Sequence, residues 1–158
     1  MSKIVVEQLQ AFLVAQGVGQ LPGTTPSTAH PSIWTMPRQG AAMPRTKDGA
    51  WLESQTITLN DTQLMGPPGL AAWLEDAFVD VIIRSKNAGE GKLLHRTIRG
   101  LLHPIGALAG KRNWTMNELH VLYSNIWRAE QPLPPVEDGL TYDRVASFRF
   151  TCARSDLT

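Results

Sequence analysis

The stretch "AFVDVIIRS" at 77–85 sets the architecture of the chain. Val79, Val81 and Ile83 fall on one side of an extended chain, with Phe78 and Ile82 on the other. A strand that is apolar on both faces must be covered on both, which predicts a central position in a sheet. Nine residues in this conformation span ~30 Å, enough for a full domain's sheet.

The residues after this strand read as helical. Asn87 and Glu90 have the spacing of a helix-capping pair, and Leu94, Ile98, Leu101 and Leu102 recur at helical period before Pro104. A helix from Lys92 to His103 would be roughly 18 Å long. Lys92, Arg96, Arg99 and His103 then form a cationic stripe opposite the apolar one. Such a stripe is either a solvated face or a surface for a partner's carboxylates.

Beyond the helix, "NELHVLYSNIWRAEQP" at 117–132 places Leu119, Val121, Tyr123 and Trp127 against His120, Ser124 and Arg128. After the proline-rich "QPLPPVEDG", "YDRVASFRFTCAR" at 142–154 puts Tyr142, Ala146, Phe148, Phe150 and Cys152 on one face, and the two strands are expected to pair antiparallel.

Upstream, Val5, Leu9, Phe12 and Leu13 predict an amphipathic helix with Ser2 as N-cap and Gly17 as its stop. "SIWTM" at 32–36 is short and extended. "AWLESQTITLND" at 50–61 reads as a strand with Trp51, Ile57 and Leu59 on one face, and a helical turn is expected through Leu70, Trp73 and Leu74. Exposed loops are expected near 17–31, 37–49, 60–69 and 129–139. The fold class is therefore α+β, a single domain over 1–158 with a mostly antiparallel sheet of about four or five strands and two principal helices.

Composition sets outer limits. The 158 residues are 42% hydrophobic and 18% charged, with formal net charge +1. A chain of this length buries a core without staples, and so small a net charge gives no sequence-wide attraction to nucleic acid or to an anionic membrane. One cysteine, Cys152, cannot close an internal disulfide, which suits a reducing compartment. No apolar run approaches the ~20 residues that span a bilayer.

The reactive residues do not converge. "NAGEGK" at 87–92 comes after a strand and opens a helix, but Lys86 and Leu93 stand where a phosphate-binding loop needs glycine and Ser or Thr. His30, His95, His103 and His120 lack metalloprotease spacing, and no Gly-x-Ser-x-Gly elbow exists. Asp76 and Asp80 would lie ~13 Å apart along one strand face, beyond glycosidase separations, and read as edge or solvent residues. Cys152 on an apolar face reads as a buried thiol. No catalytic, metal or cofactor site is expected. Of five tryptophans, Trp51 and Trp127 suit the core, whereas Trp34 and Trp114 are candidate contact anchors.

The succession "VAQGVGQLPG" at 14–23, "FVDVIIRS" at 78–85, "LLHRTIRGLLHP" at 93–104 and "HVLYSNIWRAEQPLPPVEDGLTYDRVASFRFTCAR" at 120–154 resembles the tail terminator proteins of long-tailed bacteriophages, also called minor capsid or tail-completion proteins. The resemblance spans most of the chain and rests on the order of elements, without a short signature motif. It implies a sheet flanked by helices and a homo-oligomer, a six-membered ring at the head-proximal end of the tail tube. Such a ring stops tube polymerisation and joins tail to head, with the tail tube protein and a head-tail connector or stopper as partners. DNA would pass through it without sequence-specific binding. The protein would be made in the host cytoplasm, reside in the virion, and be no enzyme.

A cyclic ring uses two different patches per subunit. Arg84, Arg96 and Arg99 are candidates for one and Glu130, Glu137 and Asp138 for the other, with Lys92 beside the first and Arg38, Arg45 and Lys47 on the 37–49 loop. That loop and 60–69 are expected to face the tube or the head. Another connector or stopper ring, or a small intracellular enzyme with an unmarked site, are the alternatives.

Overall fold

A computed structural model describes residues 4–22, 30–35, 55–62, 73–104, 106, 109–134 and 141–157. Two helices, α1 (Val5–Ala15) and α2 (Ala88–Leu102), accompany six strands: β1 (Ser32–Trp34), β2 (Gln55–Thr62), β3 (Leu74–Ser85), β4 (Lys111–Met116), β5 (Leu119–Pro132) and β6 (Tyr142–Ala153). They form one sheet in the order β1-β2-β3-β6-β5-β4, parallel only between β1 and β2. The α+β class, the mostly antiparallel pairing and the two helices are as expected. The sheet has six strands where the sequence pattern predicts four or five.

The extra strand is β4, whose sequence "KRNWTM" offers only two apolar residues. It exists because both can be used: Trp114 pairs with Val121 and Met116 with Leu119, all four buried. Asn117 at φ 57 makes the tight connection between β4 and β5.

β3 is central, as its two-sided apolar pattern demands. It pairs with β2 from Gln55↔Ser85 to Thr62↔Phe78, and with β6 along its whole length from Leu74↔Ala153 to Ser85↔Tyr142. Leu74 therefore begins the strand and pairs with β6 where a helical turn is expected, while Trp73 just before it is a turn residue. Val79, Val81 and Ile83 share the inner face with Ile57, Leu59, Ala146, Phe148 and Phe150, all in one core.

Both edges of the sheet reach the same helix. α1 packs against β1 and β2 at one edge and against β4 at the other, so the sheet must curl around it. Leu9 and Leu13 are fully buried, and the Phe12 ring meets Trp114 at 5.1 Å. Gln10 Nε2 donates to the Ile33 carbonyl at 2.7 Å, and Gln8 Oε1 accepts from Asn117 Nδ2 and the Glu118 amide, both at 3.0 Å.

The helix ends have separate causes. Ile4 occupies the N-cap of α1 without a side-chain bond, so α1 starts by burying Val5 and Val6; Ser2 lies outside the described residues. At the other end Gly17 (φ 75) donates to Val14 O and Val18 to Leu13 O, a Schellman stop that suits glycine. α2 is capped as its spacing indicates, with Asn87 Oδ1 accepting from the Gly89 and Glu90 amides. It starts four residues earlier than expected, and its 15 residues give roughly 22 Å. At its C-terminus Lys111 Nζ donates to Leu101 O at 3.2 Å.

Two expected loops are partly strand. Residues 60–62 pair with β3, ending at Thr62↔Phe78, and Gln131 and Pro132 pair with Val145 and Arg144. Gln20 bridges in parallel to Ser32, so the 17–31 crossing is ordered there. The 37–49 loop, Trp51 and Leu70 lie outside the described residues.

The largest correction concerns β5. Leu119 and Val121 face inward, but so does Ser124, because the inward phase switches between 121 and 124. The switch lies opposite Asn113, whose φ of 47 turns the β4 backbone out of regular geometry. A bulge after Ile126 then leaves Trp127 half exposed against Phe78, on the outer face. Trp127 is thus outside the core, while Trp114 is inside it. Gly110 (φ 111) leaves no room for a Cβ, which would stand 2.2 Å from Ser124 O.

Phe148 is fully buried, cross-strand from Val79 and Ile126. Phe148→Ala should cost ~3–5 kcal/mol, seen as a lower urea midpoint at unchanged slope.

Candidate interaction surfaces

The inner face of the sheet carries helices, so its polar groups are spent on holding them. Trp114 Nε1 donates to Ser124 Oγ at 3.0 Å, and that hydroxyl donates to Leu102 O at 2.7 Å. The Ile126 amide donates to His103 Nδ1 at 3.0 Å. His103 has thus left the expected cationic stripe, because α2 ends at Leu102 and the residue after it turns toward the sheet.

His95 is buried on the same helix. Its Nε2 lies 3.1 Å from Arg144 O, an acceptor only, so Nε2 carries the proton. Burial chiefly, with the positive charge of Arg144 as a smaller cause, lowers its pKa to about 4 against the Arg144 carbonyl bond that favours the charged form. Nδ1 and the Ser85 hydroxyl are buried without a hydrogen-bond partner among the described residues. Cys152 is likewise inert, since burial first, then Asp156 and Asp76, push its thiol up to about 12.

The outer face holds cross-strand pairs. Thr151 Oγ1 donates to Asp76 Oδ1 at 2.5 Å, and the Ser147 hydroxyl donates to Asp80. These aspartates are not edge residues: they sit mid-sheet opposite hydroxyl residues of β6, and Asp76 is buried. Arg149 donates from Nε to Asn125 Oδ1 at 3.2 Å and lies over the rings of Tyr123 and Trp127, at 5.4 and 5.2 Å. Among the described residues no three His, Cys, Asp or Glu side chains come together as a metal site, and no helix is long and apolar enough to cross a membrane.

The expected contact residues divide into two groups. Arg84 holds Asp143 with two bonds, Nε to Oδ1 at 2.9 Å and Nη2 to Oδ2 at 3.1 Å, and Arg144 holds Glu130. Both pairs are largely buried, join β6 to its neighbours, and occupy Arg84 and Glu130 within the subunit. Trp114 is a core residue with Lys111 Nζ 4.2 Å over its ring, and Trp34 is half-buried in β1.

Lys92, Arg96 and Arg99 form the second group. All three are exposed on α2 and make no ion pair among the described residues, and Leu93 beside them is 61% exposed. By 100° per residue, Glu90 projects about 160° around the helix from Lys92, so the stripe is uninterrupted. Arg38, Arg45, Lys47, Glu137 and Asp138 lie outside the described residues.

Sequence reasoning missed the polar corner at the other end of the sheet. Glu7 and Glu118 are exposed there beside Ile4, brought together because Gln8 grips the β4–β5 turn. The signal was a helix and a turn 110 residues apart, joined by one glutamine. No family model matches the sequence, and no curated protein is detectably similar to it.

The buried neutral His95 sets a pH dependence. Its folded pKa is below the 6.5 of a free histidine, so the unfolded chain binds the extra proton first. Stability is complete above pH 6.5 and falls as pH drops toward about 4, by up to about 3 kcal/mol. His95→Gln should flatten that slope in urea titrations between these pH values; an unchanged slope would assign it to other groups.

Proposed function

We propose that the protein is a structural component of a phage virion, the ring that terminates the tail tube and joins it to the head. The support is the succession of elements that resembles tail terminators, together with how the side chains are used. Buried titratable groups are held in unreactive forms, His95 neutral against a carbonyl and Cys152 protonated, while Asp76 and Asp80 each accept a hydrogen bond from a hydroxyl of β6. The surface of α2 presents Lys92, Arg96 and Arg99 exposed and without an ion pair among the described residues.

The single observation that carries most weight is that stripe of cations without ion pairs beside an exposed leucine, since charge and apolar area presented together can make an assembly contact. Recognition would be by protein surfaces: other copies, the tail tube protein, and a connector or stopper. DNA would pass with little attraction, as a formal charge of +1 per subunit allows. The work would be done by blocking and bridging, with no chemical step.

Another connector or stopper ring would use the same surfaces, and the two differ in phenotype. Deleting the gene from its phage should leave unjoined heads and tails of uncontrolled length in negative-stain images. Tails of normal length would overturn the terminator assignment, and unjoined tails of normal length would favour a connector.

A further inference from the structure

The exposed charges of the described surface include a Glu75–Arg154 pair and, apart from it, two groups of like sign that have no ion-pair partner among the described residues. β3 starts, β6 ends and the β4–β5 turn closes at one end of the sheet, where Leu74 faces Ala153. α2 enters at the opposite end, after Ser85 opposite Tyr142. The first end shows Glu7 and Glu118 with Ile4, 40% exposed; α2 shows Lys92 and Arg96 with Leu93.

Each patch sets two exposed like charges near an exposed branched aliphatic side chain, and none of these four charges has an ion-pair partner among the described residues; on α2 the exposed Glu90 stands on the far side of Leu93 from Arg96. Like charges within a patch repel one another, which a partner of opposite sign relieves. The two patches differ and lie apart, so they cannot meet within one subunit or form a two-fold contact of one patch with itself. They fit a head-to-tail contact, the kind that closes rings.

Building on the ring assignment above, we propose that the α2 stripe of one copy docks on the α1/β4–β5 corner of the next, with Lys92 and Arg96 facing Glu7 and Glu118, and Leu93 against Ile4. Both elements are firmly held, α2 by its Asn87 cap and Lys111, the corner by the two bonds to Gln8. Preformed patches lose little freedom on docking. Attraction of this kind is strong at low salt and screened at high salt.

Two double variants test the pairing: Glu7→Lys with Glu118→Lys, and Lys92→Glu with Arg96→Glu. Sedimentation velocity of the full chain at about 0.05 M salt should show wild-type association that dissolves toward about 0.5 M. Each variant alone should associate at least about tenfold more weakly. An equimolar mixture of the two should recover association, because reversed α2 then meets a reversed corner and native meets native around an even-numbered ring. Recovery also shows that both variants are folded.

Unaltered association in either variant, or no recovery on mixing with both variants folded by circular dichroism, would overturn the contact. So would a wild type that stays monomeric at low salt. If a ring is nevertheless seen on tails in that last case, the ring assignment stands and only this contact fails.

Discussion

The full-length pairing of β3 on both sides, with the sheet curled around α1, governs how every other element is placed. Central placement buries Val79, Val81 and Ile83 inward and seats Asp76, Phe78 and Asp80 outward among side chains of β6. Curling brings β4 to the same helix that β1 and β2 cover, so Phe12 can meet Trp114. Without that closure α1 would bury only part of its circumference and the β4 edge would have no core to face. The geometry also leaves α2 with one covered side and one open one.

That constraint divides the polar groups into spent and unspent. Side chains between strands or under helices are tied down: Arg84 to Asp143, Arg144 to Glu130, Ser124 to Leu102, His103 to Ile126. A buried ion pair of this sort is costly to break and holds strands in register more than it adds stability. Lys92, Arg96 and Arg99 are outside that network, on the face of α2 that cannot touch the sheet. The candidate function rests on these unspent charges, because a surface that works by contact must keep groups available.

Much of the fold was legible in the chain. The two-sided apolar pattern of 77–85 marked the central strand, Asn87 and Glu90 marked the start of α2, and the alternation from Ala146 to Cys152 marked β6 correctly. β5 was not, because its inward phase changes between Val121 and Ser124, and alternation assumes one phase throughout. That change depends on Asn113 in a neighbouring strand at a positive φ, which no local pattern in 119–132 encodes. The same break turned Trp127 outward, whereas Trp114 is buried because it lies on β4, a strand with only two apolar residues to mark it. Asp76 and Asp80 looked like edge residues because their hydroxyl partners lie 75 and 67 residues away.

For the surfaces, the sequence marked the cations of α2 by helical period alone, whereas Arg84 and Glu130 looked equally available until cross-strand pairing placed Asp143 and Arg144 beside them. The acidic corner was invisible, since Glu7 and Glu118 are neighbours only through Gln8. Whether copies of this chain form one ring where the tail tube ends is best decided by electron microscopy of purified phage tails carrying a tagged copy of the protein. A single ring of density, labelled at the head-proximal end and nowhere else, is expected; label spread along the tube, or absent from the particles, would refute the assignment.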